Sequence, residues 1–186
     1  MALTPSTMLP LGTPAPAFTL RDTVSGKVLS LENLTSTLAT VIVFMCNHCP
    51  YVKHIQKKLV AVAHHYQHKG ISFIAISSND VDHYPDDSPE KMKEEAQRFG
   101  YPFPYLYDET QQIAHAYHAA CTPDFYVFDK ALKCVYRGRF DNSSPGKSTP
   151  ITGHDLRAAL DALLAGKPIG ENQLPSMGCN IKWKSQ

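Results

Sequence analysis

Residues 46–50 read Cys-Asn-His-Cys-Pro. Two thiols at this spacing can form and exchange a disulfide, supply half of a zinc site, or stand together by coincidence. Position favours the first. An apolar run, Thr40–Met45, precedes the pair, and a helical pattern follows it, so the cysteines fall where a strand ends and a helix begins. Free N–H groups and the positive end of the helix dipole at that point favour thiolate over thiol. Cys46, at the strand end, is expected to be the more exposed sulfur and to attack a substrate disulfide. Cys49, in the first turn and partly shielded, is expected to resolve the mixed disulfide. Pro50 is tolerated because the first turn has no N–H bond to lose.

His48 lies between the two. A cationic imidazole there would stabilise the thiolate and hence the reduced dithiol, which implies a reduction potential of roughly −230 to −150 mV. A structural zinc site would need two further ligands, and no second C-x-x-C occurs. Copper or zinc binding through Cys46, Cys49 and a nearby His is the alternative from outside redox catalysis.

The other cysteines are Cys121, Cys134 and Cys179. An odd total is a poor disulfide framework. Cys134, on a strand, is expected to pack. Cys121 reads first as a small buried hydrophobe and second as an additional redox thiol. Cys179, in an aperiodic tail, is a packed residue or a third redox thiol that folds back. His64 and His68 have ligand-like spacing but oppose the apolar face of their helix, as do His54 and His65, so they read as solvated. His115 and His118 read the same way. Asp80, Asp82, Asp86 and Asp87 read as a solvated loop, and Arg137 and Arg139 as an exposed strand edge.

The elements that must hold the pair are legible. Segments 40–45 and 71–76 are apolar on both faces and suit central strands. Between them Val52, Ile55, Leu59, Val62 and Tyr66 recur at helical spacing, with Gly70 as the stop. This is a βαβ unit with a parallel pair. A hairpin is expected at 17–31, a helix at 88–100, a short strand at 104–108, a short helix at 110–118, a second hairpin at 124–140 and an amphipathic helix at 153–166. The chain therefore divides into an extended Pro-rich arm (1–16), an α/β domain with a mixed central sheet (17–166) and a C-terminal tail packed on it (167–186).

The chain has 186 residues, 43% hydrophobic, with a formal net charge of +1. That balance calls for neither nucleic acid nor an anionic membrane. No apolar run approaches the ~20 residues that span a bilayer, and the N-terminus lacks the pattern of a signal peptide, so a cytoplasmic location is expected.

The segments "LGTPAPAFTL", "MCNHCPYV", "SSND" with "YPDDSPEKM", "CTPDFYVFD" and "GCNIKW" resemble the thioredoxin superfamily, and more narrowly its peroxiredoxin-like (AhpC/TSA-related) members, from about residue 10 onward. The resemblance implies a thioredoxin-like three-layer sandwich. It implies that Pro123 is a cis-proline facing the cysteine pair, and that Thr122 presents its backbone to an extended peptide substrate. Thiol peroxidase activity through Cys46 is its alternative. Partners are then protein or small-molecule disulfides and thiols with a redox partner protein, and no cofactor is implied. Two positions depart from the pattern. Val43 stands where peroxiredoxins carry Thr or Ser before the peroxidatic cysteine. Thr40 stands where thioredoxins carry a buried Asp, which leaves the proton acceptor for Cys49 unassigned.

Overall fold

The computed structural model describes residues 3–185; Met1, Ala2 and Gln186 lie outside the described residues. Along the chain run β1 (Leu3–Pro5), β2 (Thr19–Asp22), β3 (Val28–Ser30), α1 (Leu31–Leu34), β4 (Ala39–Phe44) and α2 (Pro50–Gln67). Next come β5 (Ile71–Ser77), a 3₁₀ turn at Pro85–Asp87, α3 (Pro89–Phe99), β6 (Tyr105–Tyr107), α4 (Gln112–Ala116) and β7 (Cys121–Thr122). The chain closes with β8 (Asp124–Asp129), β9 (Cys134–Gly138), α5 (His154–Leu164) and β10 (Met177–Asn180).

The main sheet has the order β3-β2-β6-β5-β4-β8-β9. β4, β5 and β6 run parallel, and the flanking strands pair antiparallel. It is the mixed sheet expected, and β4 lies inside it, buried at every residue. Alternation along β4 sorts its side chains into two cores. Ala39, Val41 and Val43 meet Val52, Leu59 and Tyr66 of α2, Met92 and Ala96 of α3, and Leu156 and Leu160 of α5. Ile42 and Phe44 meet Ala114 of α4, Tyr117, Tyr126 and Leu31 on the opposite side. Each large apolar side chain so buried contributes about 1.5–3 kcal/mol. The two cores make three layers, as the two-sided apolar strands require. No helix among the described residues is long and apolar enough to cross a membrane.

Local signals set the helix ends. Pro50 opens α2, and Gly70, at φ +85°, turns the chain back into β5. Ser88 caps α3, its Oγ accepting from the Lys91 N–H.

The two terminal segments each contribute a strand. In the arm it is Leu3–Pro5. The tail is not without regular structure: it contains β10. These pair with each other, and β10 pairs with β7, in a separate three-stranded sheet β1-β10-β7. Met-Gly-Cys-Asn has no apolar alternation to betray a strand, because its pairing comes from partners far away in sequence.

Candidate active site at the Cys46–Cys49 turn

β4 ends at Phe44, and α2 begins at Pro50 with Cys49 as its N-cap. The cysteines therefore bracket the strand–helix turn, with Cys49 just outside the first turn rather than within it. Both are buried, Cys46 at 1% exposure and Cys49 at 0%. Cys46, expected to be the more exposed of the two, is buried about as fully as Cys49, with Thr122 against its sulfur.

Thr122 touches both sulfurs. Its Oγ1 lies 3.6 Å from Cys46 Sγ, and its carbonyl oxygen 3.2 Å from Cys49 Sγ. The Thr122–Pro123 peptide is cis. The structure thus brings together Cys46, Cys49, His48, Thr122 and Pro123. It adds Cys179, whose Sγ lies 2.9 Å from Cys49 Sγ.

The backbone edge of Thr122 is not open. β10 lies antiparallel to β7, with Cys179 opposite Thr122 and Asn180 opposite Cys121. The approach is close enough that a Cβ on Gly178 would sit 2.0 Å from the Thr122 carbonyl oxygen, which accounts for glycine there. An extended peptide bound at Thr122 would have to displace the chain's own β10.

Asp87, read from sequence as solvated, is wholly buried beneath the turn. Its Oδ1 accepts from the backbone N–H groups of Asn47 at 2.8 Å and His48 at 3.1 Å. Its Oδ2 accepts from Asn79 Nδ2 at 2.7 Å and faces His48 Nδ1 at 2.5 Å. Burial opposes its ionisation, but the His48 and Asn79 hydrogen bonds outweigh it and hold the carboxyl below the usual range. His48 stacks on Tyr84, with ring centroids 5.3 Å apart. A turn gathered on one carboxylate has no sequence signature beyond an acidic residue before a helix cap.

His48 Nδ1 is 3.9 Å from Cys46 Sγ, farther than from Asp87. The ring nitrogen is turned to the carboxylate rather than to the sulfur. The Cys46 thiol is raised well above its ordinary value, first by donating to Cys49, then by burial and the Asp87 charge. Cys49 is lowered to about 5, chiefly by that hydrogen bond from Cys46. The Cys179 thiol, Thr122 and the Val52 backbone N–H, at the start of α2, add to the effect against the cost of burial. The lowered thiol of the pair is Cys49, not Cys46 as expected from sequence.

Cys121 is buried and its thiol pushed up by burial and Asp124, which fits the packing role. Cys134 packs as expected, with its thiol pushed up to about 11 by burial. His64, His65 and His68 face solvent. Arg137 lies on edge strand β9, bound to the Leu9 carbonyl, and Arg139 follows its end, paired with Asp155. Asp124 is fully buried beside Pro123 and held by Ser6 and Tyr126. Burial raises its carboxyl to about 7. Among the described residues the metal-ligating set at this turn is Cys46, His48 and Asp87, with donor atoms within 4.8 Å of one another. Both Asp87 oxygens already accept N–H bonds, so the set is poorly free to bind an ion. A polar cleft of about 300 Å³ opens beside His48, lined by Asn47, Lys53, Lys91, Glu94 and Arg98.

A model of the AhpC/TSA family matches residues 11–137. A search of curated proteins gives no match. The chain is similar to an uncharacterized conserved protein from Geobacillus kaustophilus, with 59% identity, 100% of this chain and 98% of that one covered, and a TM-score of 0.98. A hypothetical protein from Sinorhizobium meliloti 1021 shares 43% identity over 98% of this chain and 100% of its own, with a TM-score of 0.95. At 15% identity, the thioredoxin domain of a thiol-disulfide oxidoreductase from Bacteroides vulgatus matches 82% of this chain and 99% of its own at a TM-score of 0.62. That last likeness bears on the fold, which is thioredoxin-like. The family match spans the strand–helix turn, Asp87 and Thr122–Pro123 together, and the chain belongs to the AhpC/TSA family.

Proposed function

We propose that the protein is a thiol-disulfide oxidoreductase working through Cys46 and Cys49. The observation that carries this reading is the placement of the pair: the two cysteines flank the strand–helix turn, Cys49 at the N-cap of α2, and Thr122 lies against both sulfurs. In the reacting form Cys46 is the thiolate and Cys49 the thiol, with the Cys46 sulfur on the side of His48. Cys46 attacks one sulfur of a substrate disulfide, and the other sulfur leaves as thiolate. Cys49 then attacks Cys46 Sγ, its proton passing to the departing second thiolate. The substrate leaves as one thiol and one thiolate, the latter taking its proton from water, and the protein holds a Cys46–Cys49 disulfide. A partner dithiol restores it by the reverse steps. Asp87 positions the turn and holds His48.

With β10 on the Thr122 edge, small disulfides and flexible cysteine segments that enter beside His48 fit better than an extended peptide strand. A cytoplasmic setting is consistent with a pair kept reduced between turnovers.

Equilibration in dithiothreitol buffers of graded potential, followed by alkylation and peptide mass spectrometry, tests this. The expected result is a Cys46–Cys49 disulfide with one cooperative transition at roughly −230 to −150 mV, because a stabilised thiolate favours the reduced form. Failure of these two cysteines to join at any potential overturns it. Peroxide-dependent turnover with a thiol reductant, alongside no disulfide reductase activity, would instead support the peroxidase reading that family membership favours.

A further inference from the structure

Cys179 lies outside the two-cysteine scheme, yet its sulfur is 2.9 Å from Cys49 Sγ, against about 2.05 Å in a disulfide. Its placement is fixed from three directions. β1 pairs with β10 on one side, Leu3 opposite Cys179 and Pro5 opposite Met177. β7 pairs on the other, and the fit of Gly178 against the Thr122 carbonyl leaves no room for a larger residue in that register. Just beyond β10, the backbone of Lys182 donates to Asn79 Oδ1 at 2.8 Å and accepts from Asp80 N–H and Gln111 Nε2 at 2.8 Å each. Asn79 is the same residue that donates to Asp87. A slip of β10 by one residue would turn Cys179 to the other face, so these bonds aim its sulfur at Cys49.

We infer that Cys179 is a third thiol of the redox site, and that it takes over the disulfide from Cys46. This rests on the dithiol reading above. Starting from a Cys46–Cys49 disulfide, the Cys179 sulfur attacks Cys49 Sγ. The Cys49–Cys179 bond forms, the Cys46–Cys49 bond breaks, and Cys46 leaves with the electron pair. The proton that Cys179 gives up goes to Cys46. No electrons enter or leave the protein in this step. The geometry favours the step: Cys179 Sγ stands 2.9 Å from Cys49 Sγ, held there by the pairing of β10 with β1 and β7. The exchange regenerates a free Cys46 while the protein stays oxidised, and it ties β10 covalently to the start of α2.

The test uses the full chain and two kinds of preparation. Wild-type protein is oxidised with oxidised dithiothreitol, the oxidant is removed, and samples are alkylated over time and mapped by mass spectrometry. The Cys46→Ser and Cys46→Ala variants are treated in parallel, with circular dichroism as a folding check. The expected result is an early Cys46–Cys49 linkage in wild type that converts to Cys49–Cys179 with Cys46 newly alkylated. That conversion is lost in Cys179→Ser. Both Cys46 variants should link Cys49 to Cys179 within one chain. If wild type forms Cys46–Cys49, and folded Cys46 variants never link Cys49 to Cys179, the inference is overturned and the dithiol reading stands. If Cys49–Cys179 forms in the variants but wild type stays at Cys46–Cys49, the relay is overturned. If no linkage among the three forms in wild type, the dithiol reading fails first and the relay with it.

Discussion

The Oδ2 atom of Asp87 lies 2.5 Å from Nδ1 of His48, while its other oxygen binds the backbone N–H groups of Asn47 and His48. One buried carboxylate thus fixes both the side chain and the main chain between the two cysteines. Asp87→Asn keeps the size but loses the charge and turns one acceptor into a donor. A stability loss of about 2–4 kcal/mol is expected, read from the denaturant midpoint. Because Asp87 is depressed in the folded state, its contribution is present above the ordinary carboxylate range and is lost as pH falls through its lower folded value. The acid limb of the stability profile should therefore flatten in the variant. An unchanged midpoint and an unchanged acid limb would show that the clamp carries little.

Cys49 gives a second test. In the reduced protein, absorbance near 240 nm should report one thiolate titrating at about pH 5. Cys49→Ser should remove that step, and Cys179→Ala should move it upward, since one donor to the anion is gone. A folded pKa below the unfolded one stabilises the reduced form increasingly from about pH 5 toward the ordinary thiol range. That gain is lost as pH falls through 5. Ordinary thiol titration in wild type would contradict the charge distribution described above.

Asp124 works with the opposite sign. Its carboxyl is raised to about 7 by burial, so the folded state prefers it protonated. The stability this confers is complete below the ordinary carboxylate value near 4 and is lost as pH rises through 7. The span corresponds to about 4 kcal/mol. Urea unfolding at pH 5 and pH 8.5 should show about 3 kcal/mol of this loss in wild type, and Asp124→Asn should remove most of it. Equal pH slopes in the two proteins would count against a neutral Asp124.

Gly178→Ala tests how tightly β10 is seated. The added methyl meets main-chain oxygen, which has little freedom to yield. A cost of about 1–3 kcal/mol is expected, with faster alkylation of Cys179 and easier proteolysis near the C-terminus. Wild-type rates would mean that the sheet absorbs the methyl group.

Which of these features the sequence announced follows from how local their causes are. β4, β5 and α2 are legible because their apolar residues repeat within the segment. The cysteine pair is legible because its place between those elements already states a chemistry. Asp87 is not, because its burial depends on a loop folding back across about 40 positions onto the turn. β10 is not, because four residues without alternation become a strand only when β1 and β7 flank them. The same contact bears on the burial of Cys46: Thr122, seated against β10, lies on its sulfur. Thr122–Pro123 was legible only through resemblance, since no rule of composition places a Thr-Pro opposite a pair of thiols.

The 2.9 Å approach of Cys49 and Cys179 joins positions 130 apart in the chain. Cys46 and Cys49 are three apart. A crosslink acts on the unfolded chain by shrinking the space it can explore, and the long loop removes far more of that freedom than the short one. In the chain-entropy account the difference is about 5 against about 2 kcal/mol, or roughly 6–12 °C in midpoint for a domain of this size. Transfer of one disulfide by a single sulfur would leave the oxidation level untouched and still make the protein markedly harder to unfold. Heat resistance then records which thiols are joined, independently of how many electrons the protein holds.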